Sequence, residues 1–164
     1  LARADFLIVT DSNQKEAAPK KGGGSLTRGR HQARVRAVQA LYQWDLNPIG
    51  PQALVREYFS GAHDMKKVDA DYFQALVVGV IDGQDEIDAC FTAHIQIELD
   101  LLDPIERSVL RLSSFELKHR LDVPKRVAIN EGVEMAKSFG AEDGHKFVNG
   151  VLDKVARDLR VHEQ

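Results

Sequence analysis

Apolar residues recur every three or four positions in almost every segment beyond Thr27, and no segment alternates apolar and polar residues one by one. That spacing belongs to helices with one buried face, and its dominance excludes a sheet protein. Val35, Val38, Leu41, Tyr42 and Leu46, with Ala33, Ala37 and Ala40 beside them, make the first stripe, and Arg28, Arg30 and Arg34 fall on the opposite face. Asn47-Pro48 and Gly50-Pro51 interrupt the pattern, and Leu54, Val55, Tyr58 and Phe59 mark a short second helix ending near Gly61. A third stripe runs from Tyr72 through Phe73, Leu76, Val77, Val80 and Ile81, breaks at Asp82-Gly83, and resumes at Ile87, Phe91 and Ile95. Gly79 and Gly83 inside it suggest close helix packing.

The second half opens on Asp103-Pro104-Ile105-Glu106. Asp103 can accept from the free amides of a helix start, proline suits the first helical position, and Glu106 completes an Asp-x-x-Glu capping box. Ile105, Val109, Leu110, Leu112 and Leu117 supply the buried stripe, flanked by Phe115. After Asp122-Val123-Pro124, the residues Val127, Ala128, Val133, Ala136 and Phe139 predict another helix, closed by Gly140 as a left-handed C-cap. Asp143 heads a last helix bearing Phe147, Val148, Val151, Leu152, Val155 and Leu159. The expectation is an all-α fold of about seven helices joined by short loops.

A length of 164 residues suits one domain. Residues 1–27, with Pro19, Lys20-Lys21 and Gly22-Gly23-Gly24-Ser25, are too poor in apolar surface to order themselves, and are expected to form a basic N-terminal extension to a folded domain spanning 28–164. The glycines are not a phosphate loop, since no Gly-Lys-Ser/Thr follows. Phe6-Leu7-Ile8-Val9 is a short apolar run of undecided role, and a sequence opening on Leu1 leaves the true start of the protein open. No run of about 18 apolar residues exists that could cross a bilayer. With Cys90 alone there is no intrachain disulfide, and an intracellular, cytoplasmic address is expected.

The formal net charge of −3 conceals a division. Residues 1–36 hold eight basic and three acidic side chains, a net of +5, and the remainder holds fourteen basic and twenty-two acidic, a net of −8. A basic end on an acidic body is the footprint that phosphate backbones attract, although a solubilising tail has the same composition. Catalysis finds no support. The six histidines never adopt metal-ligand spacing, and there is no nucleophile elbow or dinucleotide fingerprint, so no enzyme, metal or cofactor is expected.

Two segments point to binding. Arg28, Arg30, Arg34 and Arg36, with His31 and Gln32, resemble an arginine-rich RNA-binding segment whose guanidinium forks grip phosphates. Asp143, Lys146 and Phe147 gather a carboxylate, an ammonium and an aromatic ring at a helix start, where they could accept from a base, neutralise a phosphate and stack. As plain structure, Asp143 would be an N-cap and Phe147 core. Asn149 is harder to explain as packing, because an amide favours caps and turns.

Four ordered motifs carry a family resemblance: Arg34-x-x-Ala37-Val38-Gln39-Ala40-Leu41-Tyr42-Gln43-Trp44, Val123-Pro124-x-x-Val127-Ala128-Ile129-Asn130-Glu131, Ala136-Lys137-Ser138-Phe139-Gly140, and His145-Lys146-Phe147-Val148-Asn149-Gly150-Val151-Leu152-Asp153-Lys154. Together they resemble the bacterial NusB family of transcription antitermination factors. The likeness spans the folded part and stops short of residues 1–27, which look like an extension the typical member lacks.

The resemblance implies two three-helix subdomains packed across each other with one additional helix. It implies a ribosomal protein partner, NusE, a single-stranded boxA RNA in ribosomal RNA leaders, and an antitermination complex on RNA polymerase. It leaves a homodimer open, since members are variously monomeric and dimeric. Carried over by position, the RNA face would combine Arg30 and Arg34, with Arg28 and His31 beside them, and the Asp143, Lys146, Phe147 and Asn149 cluster. The partner face would use Tyr42 and Glu106, the latter in competition with its capping role. Where the family has a denser arginine run, this chain places His31 and Gln32 between Arg30 and Arg34. The same fold also serves as the RNA-binding N-terminal module of ribosomal RNA cytosine methyltransferases, for which a chain ending at Gln164 has no room. A helical scaffold without RNA binding would instead show an apolar outward stripe free of arginines.

Overall fold

α5 (Pro104–His119) is the axis of the molecule. It starts as its sequence requires: Asp103 Oδ1 accepts from the amides of Ile105 and Glu106 at 2.9 and 3.2 Å, with Pro104 in the first helical position. At its other end the Arg160 guanidinium donates to the carbonyls of Glu116, Leu117 and Arg120, so a cation closes the negative pole of the helix. Every residue from Ile105 to Leu117 is buried, charged ones included.

The structure, a computed structural model, describes residues 24–163, and among these it is helical throughout, with no strand. α1 (Gly24–Leu46), α2 (Pro51–Glu57) and α3 (Ala70–Asp82) form one group, and α5, α6 (Lys125–Phe139) and α7 (Gly144–Leu159) a second, with α4 (Gln84–Thr92) as the additional helix. The groups meet where α1 and α3 pack on α5. α1 runs antiparallel to α5, since Asp45 near its end pairs with Arg107 while Arg34 near its start pairs with Glu116. α7 runs parallel to α5, its Gly144 lying against Glu106 and its Arg160 against Leu117. Leu41, Leu54, Tyr58, Phe73, Phe91 and Leu112 are among the largest fully buried side chains, so the core is continuous through both groups.

The glycines act for different reasons. α2 continues into a wider turn over Tyr58–Ala62 that Gly61 ends at φ 106°, a left-handed conformation costly for residues with a Cβ. Gly79 lets Phe115 approach: a Cβ there would stand 2.3 Å from the ring. The break at Gly83 separates α3 from α4 as expected.

Several sequence expectations are corrected. α1 opens at Gly24, so residues 24–27, assigned to the extension, are helical, while residues 1–23, including Phe6 to Val9, lie outside the described residues. Gly140 is extended (φ −85°, ψ −178°) rather than left-handed, and its bare Cα is needed because a Cβ would meet the Ala136 carbonyl oxygen at 2.7 Å. In α6 the buried face is Ala128, Gly132, Met135 and Ala136, whereas Val127 is exposed and Val133 only half-buried. Leu46, placed in the first apolar stripe, is exposed beyond the packed part of α1.

Candidate nucleic-acid interface

The first turns of α1 present their basic residues unequally. Arg28 is exposed, and Arg30 is half-buried with its Nη1 3.0 Å from Asp122 Oδ2. Arg34, expected on the basic outer face, is instead buried at 3% exposure. Its Nε lies 3.1 and 3.0 Å from the two carboxylate oxygens of Glu116, and Nη1 reaches toward Glu131. Arg36 is buried as well and donates to Gln39. A helical repeat assigns angles to side chains but cannot know that α5 and α6 cover this one. Arg34 is therefore a buried ion-pair residue that organises the end of the helix.

His31 stays half-exposed, with Nδ1 2.7 Å from Glu131 Oε2. That hydrogen bond raises the imidazole pKa above its ordinary value against the opposing effect of burial, and in turn holds the Glu131 carboxyl down despite its own burial. Asp122 is drawn down to about 2 by hydrogen bonds from Arg120 and Arg30. The rim of α1 thus carries Arg28, Arg30 and a readily protonated His31.

At the start of α7, Asp143 is left-handed (φ 64°) and makes no side-chain cap, contrary to its reading as an N-cap. Its carboxylate lies 3.2 Å from Lys146 Nζ, with both groups widely exposed. Phe147 is 36% exposed although Val148, Val151, Leu152 and Val155 on the same helix are buried. It lines an open groove of about 570 Å³ together with Lys146, Lys154, Gly150, Glu106 and Ile97. Asn149 is exposed but outside that groove.

Tyr42 and Glu106, the expected partner residues, lie where the end of α1 meets the start of α5. Both are nearly buried, at 6% and 8% exposure. The Asp103 half of the capping box forms, and the Glu106 carboxylate packs against Gly144, where a Cβ would collide with Oε1. Glu106 thereby joins the groove of Lys146 and Phe147, so one residue expected for the partner and two expected for RNA line the same groove, whereas Tyr42 does not.

The two RNA-directed clusters do not merge into one patch. Arg34 pairs with Glu116 near the end of α5 while Gly144 lies against Glu106 near its start, ten residues apart or roughly 15 Å at 1.5 Å per residue. Lys154 was missed as a site residue, although its spacing of eight from Lys146 puts both on one helical face. Arg120 was missed because its relation to Arg30 runs through Asp122, which lies 92 residues beyond Arg30 in the chain. Among the described residues no three of His, Cys, Asp or Glu gather as a metal-binding group, and no helix is long and apolar enough to cross a membrane.

Comparison with known proteins gives a consistent result. The NusB family model matches residues 31–157. A transcription antitermination protein NusB from Teredinibacter turnerae is 51% identical over 135 residues, covering 82% of this chain and 91% of the relative. The corresponding protein of Pseudomonas savastanoi pv. phaseolicola is 45% identical over 162 residues and 94% of both chains, an alignment that reaches into the N-terminal extension. A crystal structure of antitermination factors NusB and NusE in complex with double-stranded RNA superposes with a TM-score of 0.65 at 30% identity, covering 80% of this chain and 98% of that one. Motifs, helical architecture and relatives agree, and the chain belongs to the NusB family.

Proposed function

We propose that this protein is an RNA-binding transcription antitermination factor that, with the ribosomal protein NusE, binds boxA RNA in nascent ribosomal RNA and helps assemble an antitermination complex on RNA polymerase in the cytoplasm. It is a binding protein and not an enzyme, in keeping with its family. Both named relatives are antitermination proteins, which favours neither a methyltransferase module nor a scaffold without RNA binding.

The observation that carries the reading is Phe147: an exposed ring beside Lys146 and Lys154 in an open groove, on a helix that buries Val148, Val151, Leu152 and Val155. An aromatic platform among ammonium groups is what a single strand uses, bases stacking on the ring while cations neutralise phosphates. Arg28, Arg30 and His31 supply a second, separate basic cluster at the start of α1, with Arg34 buried behind it. Asp143 and Asn149, exposed on the same end of α7 though outside the groove lining, offer hydrogen-bonding groups for bases. Tyr42 and Glu106 form the partner side, and their near burial suits shape recognition by a second protein more than a bare ionic contact. The acidic body supports selectivity, because it repels RNA elsewhere and suits a basic ribosomal partner.

The test is a fluorescence-anisotropy titration of a labelled boxA oligomer, with and without NusE, at two salt concentrations. Tighter binding with NusE present and a falling affinity at higher salt are expected. Absence of binding in the presence of NusE would sink the reading.

A further inference from the structure

We propose that Arg30, Arg120 and the ring of Tyr72 form a subsite for one phosphate of the RNA backbone, which the Asp122 carboxylate occupies in the free protein. The proposal rests on the RNA-binding reading above, and adds to it a contact from the turn after α5 together with an internal competitor.

Two guanidinium groups converge on one carboxylate. Arg120 donates from Nε to Oδ1 at 3.0 Å and from Nη2 to Oδ2 at 3.1 Å, and Arg30 Nη1 lies 3.0 Å from the same Oδ2. Both guanidinium carbons lie over the Tyr72 ring, 4.5 Å from its centroid for Arg30 and 4.9 Å for Arg120. The ring restrains both forks before any ligand arrives, which lowers the ordering cost of binding. Tyr72 is itself tied through its hydroxyl to the buried Glu116.

Charge and donor accounting point to a larger anion. Two cations face one anion here, so the cluster keeps a net positive charge, with exposed Arg28 two residues away. The Nε of Arg30 is buried without a hydrogen-bond partner, so the carboxylate leaves a donor unsatisfied. A phosphodiester presents the same charge as a carboxylate and two free oxygens in a similar fork, with bridging oxygens besides. Asp122 can give way, since its side chain is 49% exposed and sits in the turn between α5 and α6.

A carboxylate that must be displaced discriminates between strands. An RNA anchored at the Phe147 groove or by the partner offsets the displacement, whereas a strand held by charge alone does not. Removing the competitor should therefore help an unrelated RNA more than boxA.

The test titrates a boxA oligomer and a scrambled oligomer of equal length against wild type, Asp122→Asn, Arg120→Ala and the double variant at two salt concentrations, with melting curves for each. Asp122→Asn should bind the scrambled RNA about three- to tenfold tighter, with a salt slope steeper by about 0.7, the increment of one more phosphate contact on a single strand. Arg120→Ala should bind both RNAs about threefold or more weaker with a slope shallower by about 0.7, and the double variant should lose the gain. Equal or weaker binding by folded Asp122→Asn overturns the proposal, as does an Arg120→Ala protein that binds like wild type; should Asp122→Asn fail to fold, Arg120→Ala decides alone. Wild type that binds no RNA, even with NusE, overturns this proposal together with the RNA-binding reading, whereas wild-type binding with unresponsive variants overturns this one alone.

Discussion

α5 and α7 are helices of sixteen residues that use charge in opposite ways. Between Arg107 and Glu116 of α5 the charges are interior and matched. Arg107 donates to Asp45, Arg111 to both Asp88 and Asp45, and Glu116 accepts from Arg34 and Tyr72. At the start of α7, Lys146 pairs with the widely exposed Asp143, and Phe147 shows a third of its surface to solvent. The difference teaches that residue type does not separate a structural charge from a recognition charge. An arginine whose donors are used by a buried carboxylate specifies how helices dock, while a cation left wet next to an open ring remains available to a ligand.

The strongest way to break that contrast is Arg34→Ala. It leaves Glu116 at full burial with its cation removed, and should cost about 3–5 kcal/mol in urea unfolding. Under conditions where the variant remains folded, its RNA salt slope should match wild type, because Arg34 has no free donor surface for phosphate. A small stability loss with a shallower slope would move Arg34 back to the recognition side.

Phe147→Ala should do the reverse. Loss of a stacking platform predicts about 1–3 kcal/mol weaker RNA binding by anisotropy, with little change in melting temperature. A large drop in melting temperature with unchanged affinity would make the ring core. Lys146→Ala should be milder, lowering the salt slope by about 0.7 without touching stability, as expected for an exposed residue whose ion pair contributes little.

The smallest effect falls on His31, which joins the two classes because it touches buried Glu131 while facing outward. Its folded pKa is raised, so its contribution to stability is fully present below the unfolded value of 6.5 and is lost as pH rises through the folded value. The stability difference between wild type and His31→Gln should therefore be larger at pH 5.5 than at pH 8.5, and under about 1 kcal/mol given its partial exposure. A difference that grows with pH would contradict the His31 to Glu131 assignment.

Much of this molecule was legible locally. The start of α5 follows from Asp103-Pro104 alone, the break at Gly83 and the turn at Gly61 from glycine chemistry, and seven helices from a period of 3.6. The exposure of Phe147 was half legible, because a chemical cluster hinted at it while the same residue completed an apolar stripe. What was misread depended on distant neighbours. Arg34 was assigned to the outer face, and only Glu116, 82 residues later, turns it into an interior residue. Gly140 was assigned a left-handed cap on composition, whereas it is extended and the nearby Ala136 carbonyl leaves no room for a Cβ.

By itself the sequence determined which segments become helices, where they start, and to which family the chain belongs, because capping, periodicity and motif spacing act within a few residues or survive as a linear pattern. Only the tertiary structure decided which charges are neutralised inside and which remain on the surface. It placed Glu106 in the groove of Phe147, and it brought Arg30 and Arg120 to the same carboxylate. The physical reason is that helix formation is governed by near neighbours, whereas the solvation of a charge is governed by whatever else is packed around it.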